Sequence, residues 1–436
     1  MQFVRGKAMI KLLRSRKADK YEFKKIAVLT ISFLMSFFLL ACQGEINVPD
    51  EPTHLIEEQT EEPDGIEGEQ LEGDEAPSPQ PEEDEITESI SQTHISQIPY
   101  GVLSVEFIRH LSDYFYSRSP FSYREMEAAQ WIVDELLAMG YEESDIYWQE
   151  FDWESVRGHT IWGNRTWEEL EENIWIWGDL PLRQNRRSQN VILTVPGQSQ
   201  STIIVGAHYD SVIYAGASDN ASGTALLMES AHRMLYQDNY HTIIYIFFGA
   251  EEPGLFGVYY YYNSMSDEDL YNLLMMVNAD ILIEGPYVIF GAGYAPARYW
   301  LEALPEDLFD MGWWWPQRWW LENLEIRGNH LTAQMDTIAY ELNHQHNINI
   351  ISDYRFVLSP SDHWMFAFAG HTVVNLIGME RGPGENQIIE GYNATVVHTP
   401  QDEFHFINET WPGMMEANMR VFNILLEGIL LANFGE

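Results

Sequence analysis

The chain has 436 residues, of which 67 are acidic and 24 basic, so its formal net charge at pH 7 is −43. This balance argues against a nucleic-acid partner, because binding to phosphate requires clustered positive charge. Hydrophobic residues make up 45% of the sequence, which excludes a chain that is disordered throughout, and the single cysteine excludes an intramolecular disulfide and a cysteine-rich zinc module.

The first 42 residues have the pattern of a bacterial lipoprotein signal peptide. A basic segment over residues 1–25 precedes a largely apolar run over 26–40, which is too short for a full membrane span. The run ends at Leu39-Leu40-Ala41-Cys42, where such processing would attach lipid to the only cysteine of the chain. We therefore expect a signal peptide over residues 1–42 and a lipid anchor at Cys42 that holds the protein on the extracellular face of the bacterial membrane. An ordinary signal anchor is the alternative.

Residues 43–97 have the composition of a flexible spacer. They contain 18 acidic residues, no lysine or arginine, and repeated proline, glycine and serine. Such a segment buries too little apolar surface to offset the entropy of ordering, so we expect a disordered, acidic tether.

From residue 98 onward the composition predicts one folded catalytic domain over residues 98–436. Apolar residues at helical spacing from Ala128 to Met139, followed by Gly140, predict a helix and its end. Further helices are predicted over 222–236 and 267–274. Short apolar runs predict strands over Asn190–Val195, Thr202–Ala207, Thr242–Phe248, Leu274–Asn278 and Thr372–Ile377. Continuous apolar strands that alternate with helices indicate the α/β class, with a three-layer αβα sandwich around a mixed, mostly parallel sheet.

Residues 284–360 are less regular and rich in tryptophan, including Trp313, Trp314, Trp315, Trp319 and Trp320. This segment is interpreted as an insert that either covers a substrate pocket as a lid or forms a packed lobe.

Acidic residues and histidines follow the predicted strands. Because ligands of open α/β sheets bind beyond the carboxyl ends of strands, these side chains are expected to meet in one crevice. They are His208, Asp219, Glu251 with Glu252, Asp280 and His398.

Two histidines and three of these carboxylates form a ligand set that suits zinc, with cobalt or manganese also compatible. Two zinc ions about 3.5–4 Å apart would be neutralised by three carboxylates and a bridging hydroxide. Glu251 is not needed as a ligand, so it is the candidate general base for the metal-bound water. Asp210, two residues after His208, is placed to orient that imidazole.

The ordered set of motifs resembles the co-catalytic two-zinc aminopeptidases, a family that also includes glutamate carboxypeptidase II. The resemblance implies a zinc exopeptidase-like fold and peptide substrates. The stretches that carry it are His208-Tyr209-Asp210-Ser211, Gly216 to Gly223, Gly249 to Gly257, Asn278-Ala279-Asp280, Ser361-Asp362-His363 and His398-Thr399-Pro400.

The resemblance also implies a role for each residue. Asp219 would bridge two zinc ions, and Glu251 would be the base. His208 and Asp280 would bind one zinc ion, and Glu252 and His398 would bind the other. Asp362 and His363 would form a supporting segment near the second zinc ion.

The function predicted from the sequence is a zinc-dependent aminopeptidase that hydrolyses N-terminal residues from peptides. Val397 stands where some bacterial aminopeptidases have a tyrosine that donates to the oxyanion, so the metals or another donor must take that part. A single-zinc glutaminyl cyclase is one alternative. A non-catalytic peptide-binding lipoprotein is another, although a binding protein has no need of Glu251.

Overall fold

A computed structural model describes residues 95–156, 167, 174–178, 180–294, 326–380 and 396–434. The chain divides into two units, residues 1–79 and 80–436, and every described residue lies in the second. The predicted signal peptide, Cys42 and nearly all of the predicted tether lie outside the described residues and stay predictions. Within the described part of the chain, no helix is both long enough and apolar enough to cross a membrane.

The centre of the domain is an eight-stranded mixed sheet with the order β1-β2-β4-β3-β5-β8-β6-β7. The pairs β3–β4, β3–β5, β5–β8 and β6–β7 are parallel, and β1–β2, β2–β4 and β6–β8 are antiparallel. The strands are β1 (Ile146–Asp152), β2 (Arg187–Val195), β3 (Thr202–His208), β4 (Thr242–Phe248), β5 (Leu273–Ala279), β6 (Tyr287–Gly293), β7 (Ile350–Ser352) and β8 (Val373–Met379).

Helices cover both faces of this sheet. They are α1 (Val102–Tyr114), α2 (Tyr123–Met139), α3 (Trp153–Val156), α4 (Ile174–Trp177), α5 (Ser222–Met234), α6 (Phe256–Ser264), α7 (Asp267–Asn272), α8 (His330–His346), α9 (Trp364–Ala369), α10 (Phe404–Thr410) and α11 (Met414–Leu431). Along β3, Ile203 and Val205 belong to one buried cluster, together with residues of α1, α2, α5 and α11, whereas Ile204 belongs to a second cluster with residues of α6 and α9. Two buried faces explain the continuous apolar strands, and the predicted three-layer α/β fold is confirmed.

The predicted insert over residues 284–360 is partly built into the sheet. Strands β6 and β7 both lie within this segment and belong to the sheet. The helix α8 also lies within it and directly precedes β7. The tryptophan-rich run over residues 313–320 lies outside the described residues, so its assignment as a lid or lobe stays a prediction.

A buried ion pair fixes the start of the folded domain. Glu229 of α5 is fully buried and accepts the N–H groups of Gly101 and Ser104 at the beginning of α1, at 2.9 and 2.8 Å. Arg233 pairs with Glu229 at 2.6 Å and lies over the ring of Tyr100, 4.2 Å from its centroid. A carboxylate at a helix N-terminus is favourable, so Glu229 both caps α1 and attaches it to α5.

The raised pKa of Tyr100 predicts how the free energy of unfolding changes at alkaline pH. Its hydroxyl donates to Glu427 Oε1 at 2.7 Å, and burial together with this carboxylate raises the pKa of Tyr100 to about 12. Because the folded pKa lies above the unfolded value of about 10, this contribution to stability is complete below pH 10 and is lost as the pH rises toward 12. Tyr100→Phe should therefore lower the free energy of unfolding at pH 8 but make its decline above pH 10 shallower.

Urea unfolding at several pH values between 8 and 12 measures this effect. Tyr271→Phe is the matched control, because that ring is 88% exposed. A decline above pH 10 that is equally steep in Tyr100→Phe and the wild type would contradict the assignment.

Candidate metal centre

The predicted site residues lie at the carboxyl ends of three neighbouring strands. His208 is the last residue of β3, Glu251 and Glu252 follow β4, and Asp280 follows β5. Since β3 pairs in parallel with both β4 and β5, these ends share one edge of the sheet. His398 reaches the same place from the loop before α10, with a φ of 58°.

The first group consists of His208, Asp219 and Asp280, all of them buried. His208 Nε2 lies 3.2 Å from Asp219 Oδ1 and 3.5 Å from Asp280 Oδ1. One nitrogen and two carboxylate oxygens thus face a common point, which is a donor set that binds zinc.

The second group consists of Asp219, Glu252 and His398. His398 Nε2 lies 3.1 Å from Asp219 Oδ2 and 3.0 Å from Glu252 Oε2. Asp219 therefore belongs to both groups and turns a different oxygen toward each histidine. The structure brings together all five residues predicted as ligands, in the two groups that the resemblance implies.

The electrostatics of the two groups favour bound cations. Burial raises the pKa of Glu252 to about 7, an effect that His398 only partly offsets. Although burial lowers the pKa of His398, Glu252 and Asp219 raise it to about 12. Glu252 Oε1 is also buried and accepts no hydrogen bond from any described residue. A bound divalent cation would neutralise this concentration of buried carboxylates.

Glu251 adjoins the second group but belongs to neither. Burial raises its pKa well above the usual value, and so do the carboxyl groups of Asp362, Glu252 and Asp280, while His208 opposes the shift. A carboxyl group in a site, with its pKa raised by burial and by neighbouring carboxyl groups, is suited to accept a proton and then release it.

Asp210 has a wider part in the site than the sequence predicted. As expected it faces His208, whose Nδ1 lies 3.5 Å from Asp210 Oδ1 and 3.2 Å from the main-chain oxygen of Asp210. Its carboxylate also accepts the N–H groups of Glu251 and Glu252, at 3.0 and 3.2 Å. Asp210 thereby joins the end of β3 to the turn that carries the candidate base.

Asp362 and His363, predicted to support the site, lie in neither ligand group. Asp362 is fully buried, its carboxylate accepts no hydrogen bond from any described residue, and burial raises its pKa. His363 Nε2 donates to the main-chain oxygen of Val357 at 3.0 Å, and burial lowers its pKa to about 4, so the ring is neutral. His363 thus fixes the neighbouring turn, whereas Asp362 helps to raise the pKa of Glu251.

Two further residues that hold the Asp219 loop were not recognised in the sequence. Asp402 accepts the N–H groups of Ser218 and Asp219, at 2.6 and 3.1 Å. The fully buried guanidinium of Arg118 donates to the main-chain oxygens of Tyr209, Ala215 and Gly216. The position of Asp402, four residues after His398, was a usable signal, whereas Arg118 comes from a distant segment with no local signature.

The part of the chain that carries the candidate ligands is similar to known proteins. Residues 190–423 match Peptidase family M28. Aminopeptidase YwaD of Bacillus subtilis is 36% identical over 102 residues, and leucine aminopeptidase 2 of Trichophyton rubrum is 33% identical over 105 residues. The aligned stretches cover 22% and 24% of this chain and only 22% and 21% of those relatives, respectively.

The fold is also similar to a solved structure. The zinc aminopeptidase BSAP from Bacillus subtilis superimposes with a TM-score of 0.51 over 76% of this chain and 95% of that chain, at 16% sequence identity. At this level of identity the likeness concerns the fold.

Proposed function

Because the chain belongs to Peptidase family M28, we propose that it is a zinc-dependent aminopeptidase that hydrolyses the first peptide bond of peptides with an unblocked N-terminus. The observation that carries this proposal is the pair of three-residue groups that share Asp219, with Glu251 beside them and outside both. A site for binding alone would need the two groups but not the additional carboxylate.

The residues present fit two zinc ions. Each group offers one imidazole nitrogen, one carboxylate of its own and one oxygen of Asp219. The ions would be held by His208, Asp280 and Asp219 on one side and by Glu252, His398 and Asp219 on the other. When bound, zinc supplies positive charge that polarises the scissile carbonyl and lowers the pKa of water.

The side chains of the protein would then transfer protons and hold the base in position. Glu251 would take a proton from the attacking water on its carboxylate and pass that proton to the leaving amine. The Asp210 carboxylate accepts the main-chain N–H of Glu251 at 3.0 Å. This bond fixes the main chain from which the Glu251 side chain extends. This arrangement supplies general-base catalysis, which typically accelerates a reaction by about 10²–10⁴-fold.

The charge that remains at the site favours a substrate with an unblocked N-terminus. A carboxylate outside the two ligand groups, such as Glu251, would not be neutralised by zinc and would attract a protonated amine, whereas an acetylated N-terminus offers no such charge. We therefore expect cleavage next to the N-terminal residue and discrimination against blocked peptides. The names of the aligned relatives, which include leucine aminopeptidases, support leucine as the first residue to test.

The test compares leucine p-nitroanilide with N-acetyl-leucine p-nitroanilide, using the purified chain saturated with zinc. We expect turnover of the first substrate and at least about 10²-fold less of the second, because the amine is then unavailable for recognition. Metal analysis of the same sample should give two zinc ions per chain. Equal turnover of both substrates would contradict the aminopeptidase proposal.

A peptide that begins with glutamine separates this proposal from the cyclase alternative. An aminopeptidase releases free glutamine, whereas a glutaminyl cyclase produces a cyclic N-terminus without hydrolysis. Cyclisation with one zinc ion per chain would replace the proposal by that alternative.

A further inference from the structure

The turn between β4 and α6 is held by side chains at four successive main-chain N–H groups. Main-chain groups at a strand end usually bond to other main-chain groups, so four side-chain acceptors in a row mark a specifically built turn. The acceptors are Asn190 Oδ1 for Gly249 (3.2 Å), Glu125 Oε1 for Ala250 (3.0 Å), and the Asp210 carboxylate for Glu251 (3.0 Å) and Glu252 (3.2 Å).

Ala250 is the point in this turn that needs support. Its φ is 52°, in the left-handed region that residues with a Cβ rarely adopt. Its carbonyl accepts the N–H of Phe256 at 3.0 Å, and its N–H is bound by Glu125. Ala250 immediately precedes Glu251, so a change of its backbone conformation would redirect the Glu251 side chain.

Glu125 reaches the turn from a distant part of the sequence. It lies in the first turn of α2, outside the matched residues 190–423, and is fully buried. Besides the Ala250 N–H, its carboxylate accepts the hydroxyl of Ser188 at 2.5 Å and the N–H of Phe121 at 2.7 Å. These three hydrogen bonds connect α2, β2 and the turn after β4 at a single carboxylate.

A local explanation for Glu125 also exists. The sequence Ser122-Tyr123-Arg124-Glu125 has the capping-box pattern, and Ser122 Oγ accepts the N–H of Glu125 at 3.1 Å. A residue that only capped α2 would affect stability alone. The bonds to Ala250 and Ser188 are not needed for capping, and they point to a second role.

We propose that Glu125 is a positioning residue for Glu251, acting through the N–H of Ala250. The inference rests on the proposed function, in which Glu251 is the base. Loss of the Glu125 carboxylate leaves the left-handed conformation of Ala250 without its acceptor, and the base moves away from the attacking water. Misplacement of a catalytic group by about 1 Å can cost about 10²-fold in rate.

The test uses two variants of Glu125 and one matched control. Glu125→Ala removes every acceptor, and Glu125→Gln retains one acceptor oxygen. Ser122→Ala weakens the start of the same helix without touching the turn. In the zinc-saturated chain we expect kcat to fall by about 10²-fold in Glu125→Ala and by about tenfold in Glu125→Gln, with KM within about threefold of the wild type.

Hydrogen exchange of the peptide that contains residues 249–252 supplies a readout independent of activity. Exchange there should be faster in both Glu125 variants and unchanged in Ser122→Ala. If the wild type cleaves no peptide, the proposed function fails, and hydrogen exchange alone then tests whether Glu125 holds the turn. Unchanged exchange in the Glu125 variants overturns the inference, as does an equal loss of kcat in Ser122→Ala. If Glu125→Ala does not fold, Glu125→Gln carries the same test.

Discussion

Replacing Glu251 with glutamine is expected to lower kcat by about 10³-fold while the bound zinc stays in place. Glutamine has nearly the same shape as glutamate but cannot accept a proton from the attacking water. Glu251 lies outside both ligand groups, so its replacement removes no donor atom from either of them. Its main-chain contacts, including the N–H bond to Asp210, do not depend on the side chain and should persist.

The neighbouring residue provides the matched comparison. Glu252→Gln makes the same chemical change one position along the chain, but there it replaces a negatively charged ligand, whose Oε2 lies 3.0 Å from His398 Nε2, by a neutral amide. We expect Glu252→Gln to lose zinc and Glu251→Gln to retain it. Stopped-flow or steady-state assays together with metal analysis distinguish the two variants. Wild-type turnover in zinc-loaded Glu251→Gln would show that another group is the base.

The central strands and the site they carry were accessible from the sequence for one physical reason. A strand that is covered on both faces is continuously apolar, so β3 and β4 are visible as apolar runs with a histidine or acidic residues at or shortly after their ends. His208 stands at one such end, and Asp280 directly follows the end of β5. The predicted run over Thr242–Phe248 agrees with the bounds of β4 at both ends.

The outer strands were not predicted, because they lack this pattern. The strand β1 is at the edge of the sheet and alternates between buried and exposed residues, with Tyr147 62% exposed. The strand β7 has only three residues, and β6 lies in a segment that the sequence assigned to an insert. Short or half-exposed strands carry too little hydrophobic signal to be recognised without their neighbours.

The residues that hold the site in place were missed for a different reason. Arg118 and Glu125 act through main-chain groups that lie 91 and 125 positions away, at Tyr209 and Ala250. A buried charged side chain that bonds to distant main-chain atoms produces no hydrophobic periodicity and no sequence motif that would identify its partners. Such contacts become visible only when the fold brings the segments together.

Replacing Asp219 with asparagine is expected to abolish the binding of both metal ions and to reduce activity by more than about 10³-fold. Asp219 Oδ1 faces His208 at 3.2 Å, and Asp219 Oδ2 faces His398 at 3.1 Å, so both groups depend on this one carboxylate. Asparagine offers one oxygen and no negative charge, and its amide nitrogen would face one of the two ions.

Together with Asp219→Asn, the variants Asp402→Asn and Asp267→Asn form a series in which the expected loss of zinc binding decreases stepwise. Asp402 holds the N–H groups of Ser218 and Asp219 but is not in either ligand group, so its replacement should weaken zinc binding without eliminating it. Asp267 is exposed at the start of α7 and should have no effect.

Thermal unfolding with and without zinc measures the series, because a ligand that binds only the folded protein stabilises it by about 4 kcal/mol at a concentration 1,000 times its Kd. The wild type and Asp267→Asn should therefore gain melting temperature with zinc, Asp402→Asn should gain less at subsaturating zinc, and Asp219→Asn should gain almost nothing. If Asp219→Asn retained two zinc ions per chain and the full thermal response, then no shared carboxylate would connect the two groups, and the proposed dinuclear centre would be wrong.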